Sequence, residues 1–135
     1  MEKTNAHTLE RLPDAELEVM LALWQAGRPM KVLELREALS GTHDWQKATV
    51  QVLLGRLCER GFVAAEREQN YKLYHPLITE EDYRASESRT LMQKLCRGSV
   101  STLVASLISS RALDETDLEE LEALLAQGKR GERHD

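Results

Sequence analysis

A mainly α fold in two parts is what this sequence predicts: three short helices closed by a β-hairpin, followed by a purely helical segment. Three observations predict it. Between Asp14 and Gly61 apolar residues recur on one helical face in three successive runs, with glycine-containing connections between them. From Phe62 the pattern switches to two short strand-like runs around the polar turn Glu68-Gln69-Asn70. After Thr79 the chain reads as helix again.

The first helix opens at Pro13 and Asp14, with Asp14, Glu16 and Glu18 in its first turns, where carboxylates suit the positive end of the helix dipole. Leu17, Met20, Leu21 and Trp24 follow i, i+3, i+4, i+7 as its inward face, and Gly27 suits a C-terminal stop. A shorter second helix fits Val32 to Ser40, with Val32, Leu35 and Leu39 inward and Gly41 after it. Asp44 is placed to cap a third helix. In that helix Val50, Leu53, Leu54 and Leu57 face inward, Gln46, Lys47, Thr49, Gln51 and Arg56 outward, with Val52 less clearly outward. Gly61 ends it. Phe62–Ala65 and Tyr71–Tyr74 then read as two strands, closed by Pro76; because a lone hairpin is marginal in water, it must pack on the helices. Three helices and such a hairpin make a winged helix-turn-helix, expected over residues 1–78.

Residues 79–128 are expected to be a helical dimerisation domain. Thr79 and Asp82 stand at capping-box spacing before a polar helix with Tyr83, Leu91 and Leu95 on one side, and Gly98 breaks it. Ser99 starts an apolar helix with Val100, Leu103, Val104, Leu107 and Ile108. Asp114 and Asp117 repeat the capping pattern before Leu118, Leu121, Leu124 and Leu125, and Gly128 is read as a stop, leaving 129–135 as a disordered tail. About 50 residues are too few to wrap these stripes, and each large apolar side chain is worth roughly 1.5–3 kcal/mol when buried. Burial against a second copy is the economical solution, with Leu91, Leu95, Val100, Leu103, Val104, Leu107, Ile108, Leu118, Leu121 and Leu125 at the interface. Packing back onto the winged-helix part of the same chain is the alternative.

Composition fits a folded, charged-surface protein: 41% of the 135 residues are apolar and 30% charged, with a net charge of −5. The acidic excess is uneven. Residues 1–78 carry 10 Lys and Arg against 11 Asp and Glu, and residues 79–135 carry 8 against 12, so a basic surface can exist in the N-terminal part. No run approaches the roughly 20 apolar residues of a membrane span, and the N-terminus has no apolar signal core, which points to the cytoplasm and to no membrane insertion. Cys58 and Cys96 read as free buried thiols. His7, His43, His75 and His134 lack ligand spacing, and His43 reads as a solvated loop residue, with a phosphate contact or a pH response near the third helix as the alternative. Glu16, Glu18 and the acidic cluster Glu115 to Glu122 read as solvated helix faces, without a partner histidine or a glycine-rich loop. No catalytic constellation, metal site or cofactor is expected.

Four segments, LPDAELEVMLALW (12–24), WQKATVQVLLGRLCERGFV (45–63), YKLYHP (71–76) and ITEEDYRASES (78–88), resemble in order and spacing the penicillinase-repressor family (the BlaI/MecI/CopY group) over about residues 9–128. The resemblance implies a non-enzymatic, dimeric repressor that binds a palindromic operator in double-stranded DNA. It implies that helix 46–60 enters the major groove and that the wing at 66–72, around Asn70, Tyr71 and Lys72, lies against the backbone. The DNA-contact candidates are then Trp45, Gln46, Lys47, Ala48, Thr49, Gln51, Val52, Arg56, Tyr71 and Lys72. Lys47 and Arg56 are the phosphate candidates, with Arg60 either a third or a helix-end charge favoured by the dipole. Thr49 and Gln51 suit base edges; Trp45 is either a core anchor or a backbone contact, Tyr71 either a strand-pairing residue or a phosphate contact, and Tyr74 packs inward. β-Lactamase-type members have Ser-Pro-Lys-Thr where this chain has Gln46-Lys47-Ala48-Thr49, and Val52 stands where some carry a second threonine. The Asn-Phe bond cut during induction of that branch by a sensor-protease aligns with Ser106-Leu107, and the C-terminal cysteine pairs of the copper-responsive branch have no counterpart. A winged-helix protein-interaction module without DNA binding is the alternative function.

Overall fold

A computed structural model describes residues 9–133, so His7, His134 and the end of the tail lie outside the described residues. The elements run α1 (Asp14–Ala26), α2 (Val32–Ala38), α3 (Lys47–Glu59), β1 (Val63–Arg67), β2 (Lys72–Pro76), α4 (Glu80–Leu95), α5 (Val100–Ser109) and α6 (Glu115–Arg133). The order is that of a winged helix followed by helices. The chain divides into two compact units, one ending at Thr90 and one beginning at Leu91. The division falls inside α4, later than the change of pattern at Thr79 suggested, because Tyr83 and Ser86 are buried.

In the first unit, α1, α2, α3 and the hairpin enclose one core of Val19, Met20, Leu23, Leu35, Val50, Leu54, Leu57 and Phe62, among others. The inward faces expected for α2 and α3 are the observed ones. That of α1 is not: Glu16, Val19, Met20 and Leu23 are buried, while Leu21 is exposed and Leu17 and Trp24 are half-buried. Leu17 to Trp24 are apolar nearly all round the helix except Glu18, so periodicity alone does not choose the stripe. The choice is fixed by Glu16, which is 2% exposed and accepts from Arg60 Nε at 2.7 Å. Glu16 is therefore a buried ion-pair partner and not a solvated carboxylate.

Gly27 (φ +67°) and Gly61 (φ +81°) end α1 and follow α3 in the left-handed region, which costs a glycine nothing. Strands β1 and β2 pair antiparallel, Val63 opposite Pro76 and Arg67 opposite Lys72, and the Glu68 N–H donates to the Tyr71 carbonyl at 2.7 Å across the turn. A third contact has no counterpart in the sequence pattern: Met30, in the α1–α2 connection, exchanges two backbone hydrogen bonds with Tyr74, at 2.9 and 2.8 Å. This bridge, with Tyr74 buried, seats the hairpin on the helices.

The segment before α1 and the first half of α4 complete this unit. Leu9 N donates to Ser86 Oγ at 2.7 Å, Leu12 N to the Tyr83 hydroxyl at 2.9 Å, and Trp24 Nε1 to the Ile78 carbonyl at 2.8 Å. The Tyr83 ring lies edge-on to Phe62 at 5.8 Å, and burial raises its hydroxyl pKa. In the second unit the capping pattern is present: Ser99 Oγ accepts from Thr102 N, and Asp114 and Asp117 accept reciprocally from each other's N–H. Helix α6 passes through Gly128 to Arg133, so the expected stop at 128 is not found and residues 129–133 of the expected tail are helical; an isolated glycine weakens a helix without ending it.

Breaking the buried pair gives a first prediction. Arg60→Ala leaves Glu16 without its cation and should lower Tm by about 10 °C, whereas Arg60→Met with Glu16→Leu should recover most of the loss in thermal melts followed by circular dichroism. Equal melting of the single and double variants would show that the pair does not hold α1 to α3.

Candidate nucleic-acid interface

Helix α3 buries one side and leaves the other open: Gln46, Lys47, Ala48, Thr49, Gln51, Val52, Gly55 and Arg56 are all exposed. From Gln46 to Cys58 the segment contains no carboxylate. The helix begins at Lys47 with Gln46 as N-cap, and no side chain caps it, so Asp44 does not play the capping role expected of it. The first turn therefore combines uncapped N–H groups, the positive end of the dipole and a lysine.

Beside α3, Lys31, Lys47, Gln51, Arg67, Asn70, Tyr71 and Lys72 line one groove, and its lining residues include no carboxylate. Four cations thus come together from the start of α2, the start of α3 and both strands of the wing. Lys31 and Arg67 were not singled out from the sequence; the signal for Lys31 is the Met30–Tyr74 bridge, which brings the residue before α2 to the wing. Its Nζ sits 4.2 Å from the centroid of the exposed Tyr71 ring, a cation–π contact. Tyr71 lies just before β2, with its ring outside the core. The Glu34 carboxyl is held below its usual range by the Lys31 N–H that it accepts and by Arg28.

Other basic residues are engaged elsewhere. Arg60 is bound to Glu10 and Glu16, whose carboxylates raise its pKa, and it does not face outward with Lys47 and Arg56. Arg36 Nε donates to the Trp45 carbonyl at 3.0 Å. Trp45 is half-buried, packed against the core and stacked on His43 at 4.0 Å with the rings 7° apart, so its ring serves as an anchor at the entry to α3. His43 is consequently a stacked residue, 3.8 Å from Glu18, and not merely a solvated one. Cys58 is half-buried and Cys96 buried, both free, and burial raises the Cys58 pKa.

The second unit presents a different surface. Helix α5 has no buried residue. Val100 and Ile108 are exposed, and Leu103, Val104 and Leu107 half-buried; Leu91, Leu95, Leu124 and Leu125 are exposed, and Leu118 and Leu121 half-buried. Among the described residues no group of three His, Cys, Asp or Glu could hold a metal ion, and no helix is long and apolar enough to cross a membrane.

Comparison with known proteins places these features in context. The family model described as Penicillinase repressor matches residues 12–127. The chain is 28% identical over 121 residues to the penicillinase repressor of Bacillus licheniformis, covering 90% of this chain and 94% of that protein. It is 25% identical over 114 residues to the methicillin resistance regulatory protein MecI of Mammaliicoccus sciuri, covering 84% and 92%. Among solved structures, the solution structure of monomeric Bacillus licheniformis BlaI in complex with the blaP half-operator is 35% identical, with a TM-score of 0.47, over 56% of this chain and 90% of that one.

Proposed function

This chain belongs to the penicillinase-repressor family, and from that premise we propose that it is a dimeric transcriptional repressor that binds a palindromic operator in double-stranded DNA through α3 and the wing. The observation that carries the reading is the exposed face of α3, free of carboxylates from Gln46 to Cys58 with Glu59 only at its C-terminal end, beside a groove that gathers Lys31, Lys47, Arg67 and Lys72. Lysines and arginines so arranged neutralise phosphates and set the register of a helix in the major groove, while Thr49 and Gln51 on the same face can exchange hydrogen bonds with base edges. Lys31 and Arg67 join Lys47, Arg56, Tyr71 and Lys72 as backbone contacts, and Lys31 is steadied by Tyr71. Trp45 acts by fixing the entry to the helix.

Dimerisation is supported by the open apolar residues of α4, α5 and α6, which one copy of the second unit leaves uncovered. Two-fold symmetry of the protein then sets two-fold symmetry of the operator, with half-sites a whole number of helical turns apart. The reading places the protein in the cytoplasm with the DNA and assigns it no enzymatic role. A sensor-protease cutting at Ser106–Leu107 would need α5 to unwind first, because that bond lies inside a regular helix.

The test is fluorescence anisotropy of the full chain with duplexes from upstream of its own and neighbouring genes, each at two salt concentrations. Tight binding to one fragment over scrambled competitor is expected, with affinity falling about 10³-fold or more between 50 and 200 mM salt for six or more phosphate contacts. Equal, weak binding to every fragment would favour a protein-interaction module.

A further inference from the structure

The outer face of α3 is not uniformly polar. Ala48, Thr49 and Val52 are exposed at spacings i, i+1 and i+4, which puts Ala48 beside Val52 one turn on, and Thr49 beside Val52 at i+3. Val52 is 52% exposed, a large apolar side chain that the core does not use. Gly55, a further i+3 along, adds no side chain, and a Cβ built there would meet nothing within 4 Å. The face therefore carries a shallow strip of methyl groups, flanked by Lys47 and Gln51 on one side and by Arg56 beyond it.

We propose that this strip reads thymine: the Val52 methyls, with those of Ala48 and Thr49, sit against thymine 5-methyl groups in the major groove and set the base preference of the operator half-site. The proposal rests on the DNA-binding reading above and adds which base the helix prefers and by which atoms. The occupant follows from the surroundings. A strip that is bordered by cations and has no carboxylate from Gln46 to Cys58, beside a groove whose lining has none, fits a polyanion, and the apolar group that DNA presents in its major groove is the thymine methyl, which small apolar side chains and the threonine methyl contact. A valine there supplies no hydrogen bond, so its discrimination comes from apolar contact alone.

Uracil tests this, because it differs from thymine only by lacking that methyl. The probe is a duplex selected by the full-length protein from a random-sequence pool, with each thymine replaced by uracil in turn. For the unaltered protein, uracil at one or two positions in each half-site should weaken binding about fourfold per methyl lost. With Val52→Ala, whose fold is checked by circular dichroism, the penalty at the position that Val52 contacts should shrink to less than twofold. Val52→Thr, nearly the same size, should shift the selected base at that position. Uracil tolerated everywhere, or a uracil penalty unchanged in Val52→Ala, overturns the proposal while leaving DNA binding intact. Failure to enrich any duplex overturns the DNA-binding reading and this proposal with it.

Discussion

Reversing charge at two positions of α3, Lys47→Glu with Arg56→Glu, should lower operator affinity by about 100-fold or more and flatten the logarithmic salt dependence by about two units. Both side chains are exposed on the outer face of the helix, so the variant should keep its fold and its oligomeric state. Each reversal removes a phosphate contact and also sets a carboxylate against the DNA backbone. Because phosphate contacts carry little sequence information, the loss should be nearly the same on preferred and scrambled duplexes. Anisotropy titrations at several salt concentrations, beside sedimentation of the same preparation, measure both quantities. An unchanged affinity in an intact dimer would remove α3 from the interface and favour a protein partner for the winged-helix unit.

Placing a charge on α5 should have an equally large effect by a different route. Ile108 is 49% exposed, so Ile108→Asp costs the isolated unit little, yet at a dimer interface it would bury a carboxylate among Val104, Leu107 and their counterparts. The expected result is a shift from dimer to monomer at micromolar concentration in analytical ultracentrifugation, a loss of at least about 100-fold in association. Operator binding should weaken with it, because two half-sites held by one dimer gain an effective concentration that two monomers lack. A dimer that persists would move the interface away from α5.

The parts of the fold that were legible in the sequence are those where apolar spacing had one solution. In α3 only Val50, Leu53, Leu54 and Leu57 form a stripe, and these four are the buried ones. In α1 several stripes were available, and the one chosen depends on Arg60, 44 residues away, accepting Glu16 into the interior. Long-range charge pairing leaves no periodic trace. The same limit hid half of the basic groove: Lys47 and Lys72 stand on elements whose roles could be read, whereas Lys31 reaches the wing through a single backbone bridge. Asp44 has the right chemistry for a cap, but the helix starts three residues later, and Trp45 stacks on His43 in the interval.

The Glu16–Arg60 pair also constrains how this sequence can drift. Replacing either residue alone strands a charge in or beside the core, while replacing both by apolar residues of similar size costs little. Intermediates between the two states are the least stable forms, so stability couples the two positions to one another. Viable neighbours of this chain in sequence space should therefore keep both partners or lose both, and a collection of functional variants should show the two positions changing together.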